Sequence, residues 1–401
     1  MSFRGGDASA LRAYNERLIL DAIRQRGPLS KAELARATGL SAQAAAVISR
    51  GLLAEGMLVE NDKVRGRVGQ PMTPLALNPR GAFAVGVKIG RRGVDAALVD
   101  FNGAPLSIWR APHDAPLLGP SMARAVEGAS AALAALPARE RGRVVGLGVA
   151  APGHVHLWAA ELGLASDALA DWAGFDPAAA LADALGLPAQ LYNDATAACA
   201  AEMALGAGRL RGDALYIYLG AFVGGGVVID GRLQHGARGN AGAVGSVPSH
   251  RAGPDGRPRQ LIHDASLVFL EASLARAGVP PRASIAGEVQ SAEADAAFAD
   301  WAEGAAEALA RCAAAAAALI DAGRVVIDGM LNPRWRDAMV AVTARRLKAL
   351  DLSGLNSIEV VAGSLGADAR MLGAALLPLH ARFSPQPELL ARESAEPAAA
   401  Q

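Results

Sequence analysis

The chain carries two neighbouring glycine-rich stretches, Gly220-Ala221-Phe222-Val223-Gly224-Gly225-Gly226 and Gly236-Ala237-Arg238-Gly239-Asn240-Ala241-Gly242-Ala243-Val244-Gly245-Ser246. Clustered glycines let a backbone approach a phosphate group and direct its N–H groups at the oxygens. Phosphoryl transfer also needs side chains that hold metal and substrate, but alanine, phenylalanine and serine stand among these glycines. The pattern predicts a phosphate-binding framework without the polar residues of its chemistry.

The length of 401 residues, with 52% hydrophobic and 19% charged residues, indicates a globular protein of two or three domains. No uninterrupted apolar run is long enough for a membrane span, and the N-terminus lacks an apolar signal core, so we expect a cytoplasmic protein without membrane contact. The only two cysteines, Cys199 and Cys312, stand in alanine-rich contexts typical of helices. Neither a disulfide nor a cysteine zinc site is expected.

Charge is distributed unevenly along the chain. Residues 1–80 contain twelve Lys or Arg and seven Asp or Glu, a balance of +5 in a chain of zero net charge. A basic head on an acidic body indicates a polyanionic partner at the head, although ordinary surface scatter explains the charge alone equally well.

The head begins with helical patterns. Residues 15–26 place apolar side chains on one helical face, and Ser30 with Glu33 fits a capping box that starts a second helix. That helix is expected to end near Thr38, where Gly39 supplies a tight turn.

A third helix is expected from Ser41 to Glu55, with Ala45, Ile48 and Leu52 facing inward and Gly56 ending it. Two helices joined by a short glycine turn are typical of a helix-turn-helix, with the later helix in the position that reads DNA.

A basic hairpin follows the helices. Residues 57–60 predict a strand, residues 63–71 a wing, and residues 75–77 the returning strand. This arrangement predicts a winged helix that binds a double-stranded DNA operator; a small helical protein-interaction domain is the alternative. The order Ser-x-x-Glu-Leu-Ala-x-x-Thr-Gly-Leu-Ser from Ser30 to Ser41 favours DNA.

The candidate DNA contacts lie on the third helix and the wing: Ser41, Gln43, Ala44, Ser49, Arg50, Arg65, Arg67, Gly69 and Gln70. Gln43 can pair with adenine and alanines can contact thymine methyl groups. The helix offers few polar groups, so we expect much of the affinity to come from arginine contacts to phosphates.

Strands and helices alternate from Ala82 onward, which predicts layered α/β lobes with ligands at the strand ends. The order of landmarks resembles the ROK family of repressors, open reading frames and sugar kinases from about Asn15 to about His380. Besides the helix-turn-helix and the two glycine stretches, the matching segments are Gly69-Gln70-Pro71, Gly146-Leu147-Gly148, Pro152-Gly153, Asn193-Asp194-Ala195 and Gly373-Ala374-Ala375.

The resemblance implies an α/β fold: an N-terminal winged helix-turn-helix, as in the repressor branch, before a two-lobed actin-like (RNase H-like) body of the ATPase type. The expected division is a DNA-binding domain over 1–78, a first lobe over 79–196 that a helix near 368–383 rejoins, a second lobe over 197–367, and a disordered tail over 384–401.

The chain departs from the family at the positions that carry its chemistry. The Asp of the family's first phosphate loop corresponds to Lys88, and the loop that holds zinc corresponds to about residues 254–260, without cysteine. The phosphate-loop Thr, the sugar-binding Glu, the zinc His, a second sugar-binding Glu and a sugar-contacting Asn correspond to Ala221, Ala243, Ser246, Ile262 and Ala168.

Asn193 and Asp194 remain from the polar set, and in the kinases that Asp is the general base. Here Asp194 either caps the following helix or keeps a ligand contact, and Lys88 is expected beside it. The candidate ligand residues are therefore Gly153, Asn193 and Asp194.

These observations predict a transcriptional regulator, a repressor, with a catalytically inactive body, no metal and no cofactor. It is expected to form a homodimer or a dimer of dimers. An inducer, if the cleft takes one, should be less hydroxylated than a hexose and either apolar or anionic, with Arg91, Arg92 or Lys88 meeting an anion. The alternatives are a functional carbohydrate kinase and an inert interaction scaffold.

Overall fold

The computed structural model describes residues 8–62, 72–153, 155–159, 162–208, 210, 212–253 and 256–385. The predicted wing contacts Arg65, Arg67, Gly69 and Gln70 and residues 386–401 of the predicted tail lie outside the described residues.

The head consists of helices α1 (Ala8–Arg26), α2 (Lys31–Thr38) and α3 (Ala42–Ala54). The predicted capping box is confirmed, because the Ser30 side chain accepts from the Glu33 N–H while Glu33 accepts from the Ser30 N–H at 2.8 Å. Gly39 adopts the left-handed conformation with φ 71°, which ends α2. Strands β1 (Leu58–Glu60) and β2 (Leu75–Leu77) then pair antiparallel, as predicted.

The first large sheet has the strand order β5-β4-β3-β6-β7. Strand β3 is buried along its whole length and pairs antiparallel with β4 and parallel with β6. Helix α4 packs against β3, β4 and β5, and α5 packs against β6 and β7. The bounds are β3 (Phe83–Gly90), β4 (Gly93–Val99), β5 (Pro105–Pro112), α4 (Leu118–Ala134), β6 (Val144–Ala151), α5 (Pro177–Leu185) and β7 (Ala189–Asn193).

The second large sheet has the order β10-β9-β8-β13-β14, and a separate pair is formed by β11 and β12. Its core holds the long helix α10 and includes Phe298 stacked on Trp335 with ring centroids 4.7 Å apart. The bounds are α6 (Asp194–Leu205), β8 (Ala214–Leu219), β9 (Val223–Ile229), β10 (Arg232–Gln234), β11 (Pro248–Ala252), β12 (Pro258–Gln260), α7 (Ile262–Ala265), α8 (Leu267–Arg276), α9 (Pro281–Ala286), α10 (Ala292–Ile320), β13 (Arg324–Gly329), α11 (Pro333–Lys348) and β14 (Glu359–Ala362).

The last helix, α12 (Ala369–Phe383), returns to the first sheet and packs on β3, β6 and α6. Its approach to α6 is so close that a Cβ at Gly373 would lie 1.7 Å from the carbonyl oxygen of Ala197. A Cβ at Gly148 of β6 would lie 1.9 Å from the carbonyl oxygen of Ala374. Glycine at these positions is therefore required by the packing of α12 between the two sheets.

The first glycine stretch is only partly a loop. The turn covers residues 220–222, and Gly224, Gly225 and Gly226 belong to strand β9. A Cβ at Gly226 would lie 2.5 Å from the Cβ of Cys199, and one at Gly224 2.7 Å from the Cβ of Ala195. These two glycines let α6 lie directly on β9, which is a packing requirement independent of any phosphate.

Among the helices of the described residues, none has the length and apolar character needed to cross a membrane.

Candidate functional site

A cleft of about 320 Å³ opens between the two large sheets, and all three candidate ligand residues, Gly153, Asn193 and Asp194, line it. The turn at residues 220–222 and the second glycine stretch form the opposite wall. The structure thus brings together segments that lie far apart in the sequence, as expected for a ligand site at strand ends.

Asn193, and not Asp194, caps helix α6. The side-chain oxygen of Asn193 accepts from the N–H groups of Ala195 at 3.0 Å and Thr196 at 3.2 Å. The capping role suggested for Asp194 is therefore wrong, since Asp194 is the first residue of the helix and its carboxylate points elsewhere.

The carboxylate of Asp194 is bound by Arg370 of α12, whose Nη1 donates to Oδ2 at 3.0 Å. The guanidinium also lies over the ring of Tyr218, 4.8 Å from its centroid. Burial alone would lower the pKa of Arg370, but Tyr218, Asp194 and Asp95 raise it above its usual value. Arg370 is therefore a fixed positive charge at the floor of the cleft.

Sequence reasoning missed Arg370. The sequence signal is a single arginine directly before nine uncharged, mostly apolar residues, 371–379, all of which the structure buries. A buried arginine needs an acidic partner, and Asp194 supplies it here.

Lys88 lies in the cleft near Asp194, as expected, but the two do not form an ion pair. Lys88 Nζ binds Asp95 Oδ2 of the neighbouring strand β4 at 2.8 Å. Asp95 lies directly opposite Lys88 in the antiparallel register of β3 and β4, so its carboxylate is within reach of the Lys88 side chain. Burial and the neighbouring Arg370 lower the pKa of Lys88, while Asp95 opposes this.

Residues that line the cleft make contacts between the two lobes. Arg91 and Arg92, at the β3–β4 turn, both bind Glu271 of α8, Arg91 with Nη1 at 3.3 Å from Oε2. Trp158 and Phe222 meet with ring centroids 4.8 Å apart. We call these four residues and Glu271 the interlobe clasp.

The cations expected to meet an anionic inducer are thus already paired with carboxylates. Lys88, Arg91 and Arg92 all have acidic partners, and so does Arg370. An added anion would compete with a carboxylate for each of them. The contacts of Lys88, Arg91 and Arg92 therefore do not support the expectation that they bind an anionic inducer.

Of the positions that the resemblance sets at the family's sugar and zinc contacts, three line the cleft. Ala243, Ser246 and Ile262 lie on its wall beside Phe222 and Met330, while Ala168 is not among the lining residues. Alanine and isoleucine side chains at these positions cannot hydrogen-bond to a hexose hydroxyl.

A buried carboxylate links the two strands that flank the loop corresponding to the family's zinc site. The buried carboxylate of Asp264 accepts from Ser249 Oγ, and guanidinium groups of Arg251 and Arg259 lie 3.9 and 4.0 Å from its Oδ1. Within the described part of the chain, no three His, Cys, Asp or Glu side chains are grouped so as to hold a metal ion. The Asp264 carboxylate therefore connects β11, through Ser249 and Arg251, with β12, through Arg259.

On the head, α3 exposes Ser41, Gln43 and Arg50, and Ala44 is partly exposed. Ser49, which the sequence placed on the outward face, is 0% exposed. The correction has a simple cause: Ser49 lies one helical turn from Ala45 and one from Leu52, both buried, and so faces the core.

Val47, which sequence reasoning overlooked, is 52% exposed on the outward face of α3. It follows Gln43 by one helical turn and precedes Arg50 by three residues, so the three share one surface. The sequence signal was that Val47 does not belong to the inward-facing set of Ala45, Ile48 and Leu52.

The model of the ROK family matches residues 84–381. The chain is 28% identical over 382 residues to the uncharacterized protein y4fQ of Sinorhizobium fredii, covering 92% of each. It is 33% identical over 251 residues to the bifunctional enzyme NanE/NanK of Brucella melitensis, covering 61% of this chain and 45% of the enzyme. It is 22% identical over 250 residues to the xylose repressor of Bacillus subtilis, covering 62% and 64%.

Among solved structures, a ROK family transcriptional regulator described as a homologue of the E. coli MLC protein superposes with a TM-score of 0.67. The identity is 21%, and the match covers 95% of this chain and 99% of the regulator. Likeness at this identity establishes the fold, including the head in front of the two-lobed body.

Proposed function

Because the chain belongs to the ROK family, we propose that it is a DNA-binding transcriptional regulator, a repressor, whose kinase-like body does not transfer phosphate. The observation that carries this proposal is the outward surface of α3, where exposed Gln43, Val47 and Arg50 lie on a helix supported from behind by buried Ala45 and Leu52. That geometry matches the reading helix of a helix-turn-helix.

The surface has the chemistry of a base-reading helix. Gln43 can pair bidentately with adenine, Val47 can contact a thymine methyl group, and Arg50 can bind a phosphate or a guanine edge. Because one short helix gives modest specificity, we propose that a homodimer, or a dimer of dimers, places two heads on a two-fold-related operator.

The contacts of the body support loss of catalysis. A general base must be free to accept a proton from the substrate hydroxyl, but the Asp194 carboxylate is engaged by Arg370 at 3.0 Å. Lys88 stands where the family has a phosphate-loop Asp, and a cation cannot hold the Mg²⁺ that phosphoryl transfer uses.

A sugar kinase is the second candidate, and one observation favours it: Asn193 and Asp194 of the kinase pattern both line the cleft. It would require Arg370 to release Asp194 and another acid to hold Mg²⁺. The match to the NanE/NanK enzyme covers 61% of this chain and only 45% of that enzyme.

The proposal is tested in two assays on the full chain. Fluorescence anisotropy with fragments from its own genome should reveal saturable binding that Arg50→Gln weakens. A coupled assay with ATP, Mg²⁺ and a panel of hexoses should show no turnover above the rate without protein. Sugar-dependent ATP consumption that disappears in Asp194→Asn would establish the kinase instead.

A further inference from the structure

A second cavity, of about 570 Å³, lies where the head meets the body. The head contributes α1, the end of α3 and Met57 to its walls. The body contributes Gly81 and Ala82 just before β3, the start of β6 and the end of α12. We call it the junction cavity; it shares no lining residue with the cleft.

Three arginines line the junction cavity, Arg17, Arg143 and Arg382, and Arg143 Nη1 donates to the carbonyl oxygen of Arg80 at 2.7 Å. Two carboxylates also line it, but Glu16 is bound to Arg12 outside the cavity at 2.8 Å. Glu55 is the remaining acid, so the lining carries an excess of positive charge.

Arg17 has a guanidinium nitrogen without a hydrogen-bond partner. Its Nη1 is buried and has no hydrogen-bond partner, and within the described ranges neither Arg17 nor Arg382 lies within ion-pair distance of a carboxylate. Burial and the proximity of Arg382 lower the pKa of Arg17. Arg17 and Arg382 repel each other, and neither is paired with a carboxylate, so an anion bound between them would be stabilised.

The rest of the lining is apolar. Leu20 and Leu52 are 2% exposed, and Met57, Val144 and Phe383 complete that side of the wall. An apolar wall with a few convergent charged groups is typical of sites for small organic molecules.

We propose that the junction cavity binds a small organic anion, whose carboxylate or phosphate group is held by Arg17 and Arg382 and whose apolar part lies against Leu20, Leu52 and Phe383. Because both head and body form the walls, the bound anion stabilises one placement of the head on the body. This regulatory consequence rests on the proposed function, whereas the site itself does not.

Calorimetry on the full chain tests the site, with phenyl phosphate as the probe and phenol as the neutral match. Phenyl phosphate should bind saturably at millimolar concentration or below, and phenol should bind at least about tenfold more weakly because it lacks charge-assisted hydrogen bonds. Arg17→Gln and Arg382→Gln should each weaken phenyl phosphate binding about tenfold, whereas Arg276→Gln, on the surface of α8, should not.

Arg382 is exposed at the end of α12, so its variant keeps the test sound if Arg17→Gln does not fold. No saturable heat with the unaltered protein, equal affinity for phenol, or unchanged affinity in both variants would overturn the site.

Anisotropy with operator DNA tests the regulatory consequence separately. Phenyl phosphate should change DNA affinity in the unaltered protein and not in Arg382→Gln. Calorimetric binding without any change in DNA affinity would refute the regulatory step and leave the site standing. A protein that binds phenyl phosphate but no DNA would refute the proposed function alone.

Discussion

Arg370 and Asp194 meet at 3.0 Å on the floor of the cleft, although 176 positions separate them in the sequence. The pair joins the first turn of α12 to the first residue of α6 and places a guanidinium beside Tyr218. It converts the one retained acid of the kinase pattern into half of an ion pair.

Replacing Arg370 should destabilise the fold. Arg370→Met leaves Asp194 and Tyr218 without their cation, and we expect a loss of about 1–3 kcal/mol. Urea unfolding followed by circular dichroism measures it. Adding Asp194→Asn to Arg370→Met should recover part of the loss, while Arg110→Met, which breaks an exposed ion pair with Asp368, should change stability little. A loss as small as that of the control would contradict this account.

The interlobe clasp should hold the cleft closed. Glu271→Gln removes the acid shared by Arg91 and Arg92, leaving two neighbouring cations to repel each other. Hydrogen exchange at residues 220–226 should become faster. Glu303→Gln, which breaks pairs with Arg345 and Arg346 elsewhere on the second lobe, is the matched control and should leave that exchange unchanged.

Substitutions at exposed positions of α3 should change DNA affinity, and substitutions at buried positions should not. Arg50→Gln should reduce affinity and lower the salt slope by about one. Gln43→Ala should cost about 1–3 kcal/mol at an A·T position and less elsewhere. Ser49→Ala should leave DNA affinity unchanged because Ser49 is buried. Equal effects of Ser49→Ala and Arg50→Gln would show that the reading face is misplaced.

Stability should decrease in mild acid through His380. Burial, together with Arg24, lowers the pKa of His380 from 6.5 to about 4. The unfolded chain therefore binds the proton first, and stability present above about pH 6.5 is lost as the pH falls toward about 4. His380→Gln should flatten the pH dependence of the unfolding midpoint across this window, whereas replacing exposed His263 should not. If the pH dependence of the unfolding midpoint is unchanged in His380→Gln, His380 is not its cause.

Two glycine substitutions in helices should act in opposite directions. Gly373→Ala places a Cβ 1.7 Å from a backbone oxygen of α6, so the helices must separate and the protein should lose several kcal/mol or fail to fold. Gly51→Ala in α3 places its new Cβ 3.6 Å from Arg12 Nη2, an ordinary contact with a flexible side chain, and should stabilise by up to about 1 kcal/mol. Thermal unfolding compares the two; a stable Gly373→Ala would mean that α6 and α12 lie farther apart.

Local chemistry was readable from the sequence. The Ser30–Glu33 capping box and the Gly39 turn depend on neighbouring residues, and the strands Leu58 to Glu60 and Leu75 to Leu77, which pair, follow each other in the sequence. The α/β lobes followed from the alternation of buried strands with helices, and the family from landmarks along the chain.

The partners of buried charges were decided only by the tertiary structure. Lys88 pairs with Asp95 because strand register sets them opposite each other, and Asp194 pairs with Arg370 because α12 returns to lie on α6. Which cation reaches which carboxylate depends on distances set by packing across hundreds of residues. Sequence patterns carry the period of a helix or a strand but not those distances, so the cleft's chemistry became visible only in the fold.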